Sequence, residues 1–140
     1  MIGPTGVFVI ETKARSKREG AANKIVVGAD GRTLVNGFEF DRCPITQARI
    51  LCEAMKTMLE RQTSLRNIFV RGVVMFPEWQ IDDRAYRNAG GDIWTLNPPA
   101  FRKWLTSGRD PVVLTSNDVA LLSSRIEDHV RRGSGREDEG

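Results

Sequence analysis

The stretch Gly6-Val-Phe-Val-Ile-Glu-Thr-Lys13 decides the fold of this chain. Its four consecutive apolar residues, from Val7 to Ile10, show no alternation, and they are rich in the β-branched and aromatic side chains that favour strands. The stretch therefore predicts a strand that is covered on both faces and central in a sheet. Because side chains alternate along a strand, Glu11 and Lys13 share one face and Thr12 lies on the other.

The length and composition predict one globular domain. The chain has 140 residues, of which 40% are hydrophobic and 28% charged, so it can form a substantial core. We expect a single domain over 1–132 and a disordered tail over 133–140. No apolar run approaches the roughly 20 residues that span a bilayer, and no signal peptide is recognisable. Cys43 and Cys52 lack a metal-ligand spacing, so we expect reduced thiols in a cytoplasmic protein.

The pattern of the remaining chain predicts an α/β domain, with a mixed sheet and flanking helices. Apolar residues in the long helix repeat at intervals of three and four, which predicts a buried stripe of Ala48, Leu51, Cys52, Met55, Met58 and Leu59. The predicted elements are a strand over 6–13, a hairpin over 24–35, a long helix over 45–62, strands over 68–76 and 93–96, a short helix to about 105, and a last helix from Ser116 or Asn117 to about 132. A polar loop is predicted between the strands ending at 76 and beginning at 93.

Glu11 and Lys13 have the side chains of a metal-dependent phosphodiesterase. A carboxylate can hold a hard cation such as Mg²⁺, which lowers the pKa of water and offsets the charge of a phosphate. A lysine can orient that water or stabilise the developing anion. By itself, Glu-x-Lys is more typical of an ion pair at a strand end. The buried strand, the basic loop after it and the inward amide of Gln47 favour the catalytic interpretation, although Gln47 is also compatible with a local cap.

A cluster of basic residues follows the predicted strand. Lys13, Arg15, Lys17 and Arg18 fall within six residues, while the net charge of the whole chain is only +3. Such a cluster beside a candidate site suggests a polyanionic partner such as nucleic acid. The alternative is a solvated turn without a partner.

Four blocks of the sequence resemble successive blocks of the NERD domain, the nuclease-related domain of the PD-(D/E)XK superfamily. They are Gly3–Lys13, Pro44–Ala48, Val73–Trp79 and Ile93–Pro98, so the resemblance covers roughly residues 1–106. It implies a restriction-endonuclease-like core and magnesium-dependent cleavage of DNA. It also implies site residues: Glu11, Lys13 and Gln47 as catalytic residues, with Glu11 and the backbone carbonyl of Thr12 as metal ligands.

One part of the family pattern has no counterpart in this sequence. The family places an Asp on a strand before the Gly-Pro-x-Gly turn, and a helix before that strand, whereas Asp30 and Asp41 both follow the Glu-x-Lys strand. The resemblance therefore predicts an N-terminally truncated core with impaired activity. Three explanations remain open: a true start upstream of Met1, an inactive remnant, or a partner that completes the site. A non-catalytic nucleic-acid-binding or interaction module is the alternative function.

Overall fold

A computed structural model of the chain describes residues 1–13, 24–108 and 110–138. Within these ranges the chain forms two four-stranded sheets with flanking helices, which confirms the predicted mixed α/β class. In chain order the elements are β1 (Ile2–Gly3), β2 (Gly6–Thr12), β3 (Lys24–Val27), β4 (Thr33–Val35), β5 (Phe38–Glu39), α1 (Pro44–Gln62), β6 (Val70–Met75), β7 (Gln80–Asp82), α2 (Arg84–Asn88), β8 (Trp94–Leu96), α3 (Pro98–Thr106) and α4 (Ser116–Asp138).

The first sheet has the strand order β1-β2-β6-β8. Strand β1 is antiparallel to β2, whereas β2, β6 and β8 are parallel to one another. In this register Glu11 lies beside Val74, and Val74 lies beside Thr95. The carboxyl ends of the three parallel strands therefore meet at one edge of the sheet, which is where ligands commonly bind in open parallel sheets.

Strand β2 is covered on both faces only in its first half. Val7 packs against α1 and α4, and Phe8 packs on the opposite face against α3; both side chains are buried. Ile10, by contrast, is 37% exposed. Strand β1 is short and pairs with β2 only at Gly6 and Val7, so it gives no cover further along. The prediction of a strand covered on both faces is thus wrong for its second half.

Gly72 of β6 has no side chain, and helix α1 and Ile93 occupy the space that a Cβ would need. A Cβ at Gly72 would lie 2.8 Å from Ile93 Cδ1 and 2.9 Å from Cys52 Sγ on α1. The inward face of the helix is the line Ile45, Ala48, Cys52 and Leu59. Leu51, predicted to be buried, is 45% exposed, because each residue turns the helix by about 100° and Leu51 is displaced from that line.

The second sheet has the order β5-β4-β3-β7 and closes the amino-terminal end of α1. Its β3–β4 hairpin has the predicted Asp-Gly turn, in which Gly31 has a φ of +86° and donates its N–H to Gly28 O at 2.9 Å. The β3 side chains Ile25 and Val27 are fully buried against Ile45 and Phe76. This packing fixes the start of α1 relative to the end of β6.

Strand β7 and helix α2 replace most of the predicted polar loop. They form around Tyr86, whose ring is buried in the core shared with α1. The Tyr86 hydroxyl donates to Asp92 Oδ1 at 3.0 Å and accepts from Ile93 N at 3.2 Å. Arg49 of α1 also donates to Asp92, at 3.1 Å. Burial raises the pKa of Tyr86, and the neighbouring Asp92 carboxylate adds to this, so the phenol remains a donor.

The last helix, α4, begins with a reciprocal cap. Thr115 N donates to Asp118 Oδ2 at 3.0 Å, and Asp118 N donates to Thr115 Oγ1 at 3.1 Å. The cap is therefore Thr115, and the prediction of Ser116 or Asn117 is wrong, because the Thr115 hydroxyl accepts from the backbone N–H of Asp118 while the Asp118 carboxylate accepts from Thr115 N. Leu122 is fully buried, whereas Val130 is 59% exposed.

The backbone of α4 continues to Asp138, past position 132 where we predicted that the helix would end. The single domain over 1–132 stays a prediction, and residues 139–140 of the predicted tail lie outside the described residues. Among the helices that the structure describes, none is both long and apolar enough to cross a membrane.

Replacing Gly91 by alanine is expected to lower the free energy of unfolding by about 1–3 kcal/mol, a typical cost of overpacking. A Cβ at Gly91 would lie only 2.2 Å from Tyr86 Cε1, so the buried ring would have to move. Urea denaturation measures the loss. Gly3→Ala is the matched control, since nothing lies within 4 Å of its Cβ position, and equal stability of the two variants would contradict this packing.

Candidate active site

The end of β2 and the first turn of α1 bring three predicted site residues together. Glu11 and Lys13 lie on the β2 face that is turned toward α1, as their alternation predicts. Lys13 Nζ is 3.1 Å from Glu11 Oε1 and donates a hydrogen bond to Gln47 Oε1 at 2.9 Å. The side chains of Lys13 and Glu11 are 26% and 25% exposed. The ammonium group is thus held between a carboxylate and an amide, partly shielded from water.

Gln47 reaches Lys13 because α1 starts directly beside the end of β2. The helix begins with Pro44, and Gln47 N donates to Cys43 O at 3.1 Å to close its first turn. Cys43 gives no side-chain cap, and the amide oxygen of Gln47 bonds to a residue 34 positions earlier in the chain. A local cap, the alternative for Gln47, therefore does not account for its side chain.

The second carboxylate oxygen of Glu11 is buried without a hydrogen-bond partner among the described residues. A buried oxygen of this kind costs roughly 1–3 kcal/mol or more when it is left unsatisfied, so native structures rarely retain one without a reason. Its charge and hardness suit a divalent cation. The described residues hold no group of three His, Cys, Asp or Glu side chains that could bind a metal, so Glu11 belongs to no such cluster there.

The backbone of Thr12 faces the unpaired edge of β2. Lys13 N donates to Met75 O of β6 at 2.9 Å, and backbone groups of successive strand residues point to opposite edges. The Thr12 carbonyl therefore points away from β6, toward the side where β1 pairs only with the start of β2. Within the described ranges no strand pairs with this part of the edge. The role of this carbonyl as a metal ligand stays a prediction.

Only one residue of the basic cluster lies within the described residues. Lys13 takes part in the ion pair, whereas Arg15, Lys17 and Arg18 lie outside the described residues. Their proposed contact with nucleic acid therefore stays a prediction. Arg71, the other basic residue near the first sheet, places its guanidinium 4.3 Å from the centre of the Trp94 ring and donates to Asp92 O at 3.1 Å.

A pocket beside β8 escaped the sequence-based prediction. It lies between α3 and the β7–α2 segment, and its polar residues include Asp83 and Arg87. Asp83 is four residues before Arg87, and the two side chains form an ion pair at 2.9 Å. An Asp and an Arg four residues apart are typical of an ion pair on the surface of one helix. By itself, this spacing predicts neither helix α2 nor a pocket.

Comparison with known families supports the resemblance seen in the first blocks. The family model of the nuclease-related domain, NERD, matches residues 1–77. This chain belongs to the nuclease-related domain family. The matched residues include the Gly3–Lys13 block, which contains Glu11 and Lys13, and the start of α1, which contains Gln47. The match ends before the Ile93–Pro98 block. No curated protein and no solved structure gives a significant match to the chain.

The geometry predicts unequal costs for removing the two charges of this NERD site. Among the described residues, Lys13→Ala leaves Glu11 with no partner for either oxygen, whereas Glu11→Ala leaves Lys13 bonded to Gln47. We expect Lys13→Ala to lose about 1 kcal/mol more stability than Glu11→Ala, because an unpaired, shielded charge is the more costly remnant. Urea denaturation of both variants and of the double variant measures this. The double variant should recover part of the Lys13→Ala loss, and a Glu11→Ala loss as large as that of Lys13→Ala would rule out the arrangement.

Proposed function

We propose that this NERD domain hydrolyses phosphodiester bonds of DNA in a magnesium-dependent reaction. The observation that carries the proposal is the buried, unpartnered Oε2 of Glu11, which lies beside a lysine that Gln47 holds in place. An ion pair with a purely structural role would not require a buried carboxylate oxygen that lacks a hydrogen-bond partner. Membership of the nuclease-related family supports the same reaction class.

Each residue has a defined task in this proposal. Glu11 and the backbone carbonyl of Thr12 are the oxygens that would hold Mg²⁺, which commonly binds through one or two carboxylates and keeps several waters. Bound there, the cation supplies charge compensation for the phosphate and a lowered pKa for water. Lys13 orients the attacking water or stabilises the charge that develops on the phosphate oxygens. Gln47 positions Lys13 by accepting its hydrogen bond.

We expect this site to have impaired activity unless a second carboxylate completes it. Glu11 belongs to no cluster of three possible ligand side chains among the described residues, and several hard ligands hold a catalytic cation better than one. The unpaired edge of β2 beside Thr12 offers backbone groups to which a further strand can pair. Such a strand, from a partner or from outside the described residues, would bring its carboxylate next to Glu11.

We also propose that the domain acts in the cytoplasm. Cys43 and Cys52 are both free thiols, as expected in a reducing compartment. Burial raises the pKa of Cys52, which keeps this thiol protonated and unreactive. Cys52 is then a buried residue without a part in the reaction, and Cys43 is partly buried.

Glu11→Ala and Lys13→Ala are each expected to lower the rate of DNA cleavage at least a hundredfold, because each removes a group that acts on the charge of the reacting phosphate. The assay follows cleavage of plasmid and single-stranded DNA in Mg²⁺, with a chelator control that should abolish it. Glu53→Ala and Lys56→Ala, which change exposed residues of α1, are matched controls with the same charge changes. Cleavage that survives both site substitutions would refute the assignment of Glu11 and Lys13.

The absence of a three-ligand cluster around Glu11 among the described residues also favours a second candidate, a non-catalytic nucleic-acid-binding module. In that case the domain binds DNA in the presence of a chelator and shows no cleavage in Mg²⁺. The two candidates share the basic cluster but differ in their need for the metal. Binding with and without Mg²⁺, measured beside cleavage, distinguishes them.

Binding through the basic cluster is expected to weaken steeply with salt, because each phosphate contact releases counterions. A triple variant, Arg15→Ala with Lys17→Ala and Arg18→Ala, should reduce the slope of log affinity against log salt concentration by about 2–3 for duplex DNA, at roughly 0.9 per contact. Fluorescence anisotropy at several salt concentrations provides the slope. An unchanged slope would exclude these three residues from the interface.

A further inference from the structure

A pocket of about 360 Å³ lies at the carboxyl end of β8, outside the Glu11–Lys13 site. This volume falls in the range of small-molecule sites, which are mostly apolar and carry a few polar groups. Its principal lining residues are Trp94, Trp104, Ala100, Asp83, Arg87 and Asn97. A neighbouring groove shares Asp83, Arg87 and Asn97 with the pocket and continues to Lys24 and Arg84.

Two tryptophans form a fixed aromatic wall in this pocket. Trp94 and Trp104 meet edge to face, with ring centres 4.1 Å apart and an interplanar angle of 83°. The Arg71 guanidinium lies over the Trp94 ring, and Phe101 stacks beside Trp104 with ring centres 5.7 Å apart. Both indoles are therefore held in place before any ligand enters, so binding need not order them.

The polar groups of the pocket offer both donors and acceptors. Asp83 accepts from Thr95 Oγ1 at 3.0 Å and pairs with Arg87 Nε at 2.9 Å, and its side chain is only 14% exposed. Asn97 Oδ1 caps α3 by accepting from Ala100 N at 3.0 Å, which leaves the Nδ2 amino group as a donor. Arg87 lies at the rim, where its side chain is 65% exposed.

These features together fit a flat heterocycle that is attached to a phosphate chain. Aromatic side chains pack on the faces of bases, a carboxylate and an amide can pair with base edges, and cations at the rim suit phosphates. The groove toward Lys24 and Arg84 gives the backbone a path away from the pocket. Both cations pair with Asp82, at 3.6 and 3.1 Å, so a phosphate in this groove would share them with that carboxylate.

Strand β8 is two strands from β2, about 10 Å at the usual strand spacing. Trp94 is in register with Val73 and Ile10, so it lies on the α3 face of the sheet, opposite to the face of Glu11 and Lys13 but at the same carboxyl edge.

We propose that the pocket binds one unstacked nucleobase of the DNA strand, with the backbone passing Arg87 toward Lys24 and Arg84. This inference rests on the proposed function, since it places a base-binding subsite at the same carboxyl edge of the sheet as the phosphodiester site. It predicts that the domain prefers single-stranded or locally unpaired DNA, because a base inside a duplex cannot enter the pocket.

The test uses the full chain and a single-stranded oligonucleotide with one 2-aminopurine, moved along the strand, in the presence of a chelator. The fluorescence of 2-aminopurine falls when it stacks on an aromatic ring, so one position should be quenched. An abasic residue at that position should weaken binding about tenfold, in line with the worth of one stacked base. Ala100→Phe, which fills the pocket from α3, should weaken binding of the intact strand similarly and remove the quenching.

The matched control is Ala54→Phe, an exposed helical alanine of α1, which should bind like the unchanged chain. Full affinity for the abasic strand, or equal binding by Ala100→Phe and Ala54→Phe, would overturn the inference. If Ala100→Phe does not fold, the abasic comparison alone decides. DNA that is cleaved or bound without any base effect refutes only this pocket, whereas no binding of any DNA, either with Mg²⁺ or with the chelator, refutes the proposed function as well.

Discussion

The parallel pairing of β2 with β6 is the constraint on which the rest of the structure depends. It sets Glu11 beside Val74 and ties Lys13 to Met75, so the charged end of β2 lies at the carboxyl edge of the sheet. Gly72 of β6 has no side chain, so α1 can pack close to the sheet. This packing brings Gln47 to Lys13. The site is therefore a product of strand register and of helix distance together. A shift in register would turn the two charges away from α1.

Much of this arrangement could be predicted from local sequence patterns. The alternation after Ile10 places Glu11 and Lys13 on one face, and the helical repeat places Gln47 near the inward side of α1. These are properties of single elements, and periodicity determines them. The contact between Lys13 and Gln47 is different, because it depends on how two elements pack over 34 positions of sequence.

The errors in prediction have the same origin. Leu51 fits an apolar stripe, yet the helix faces the sheet along a line that passes beside it. The 81–91 segment looks polar and loop-like, yet a single buried ring, Tyr86, organises α2 within it. Tertiary packing decides such cases, because a short polar segment has no periodicity strong enough to show its partner. The pocket beside β8 lies between α3 and the β7–α2 segment, so no local sequence pattern could predict it.

The unpartnered oxygen of Glu11 has a consequence for attempts to engineer this domain. A shielded carboxylate that satisfies only one of its oxygens lowers the stability of the free protein. Directed evolution that rewards thermal stability alone would therefore favour side chains at position 11 that keep the contact with Lys13 and leave no buried oxygen unsatisfied, as happens at other sites where function and stability conflict. A library enriched in that way would keep the fold and its core while discarding the residue that gives the end of β2 its chemistry.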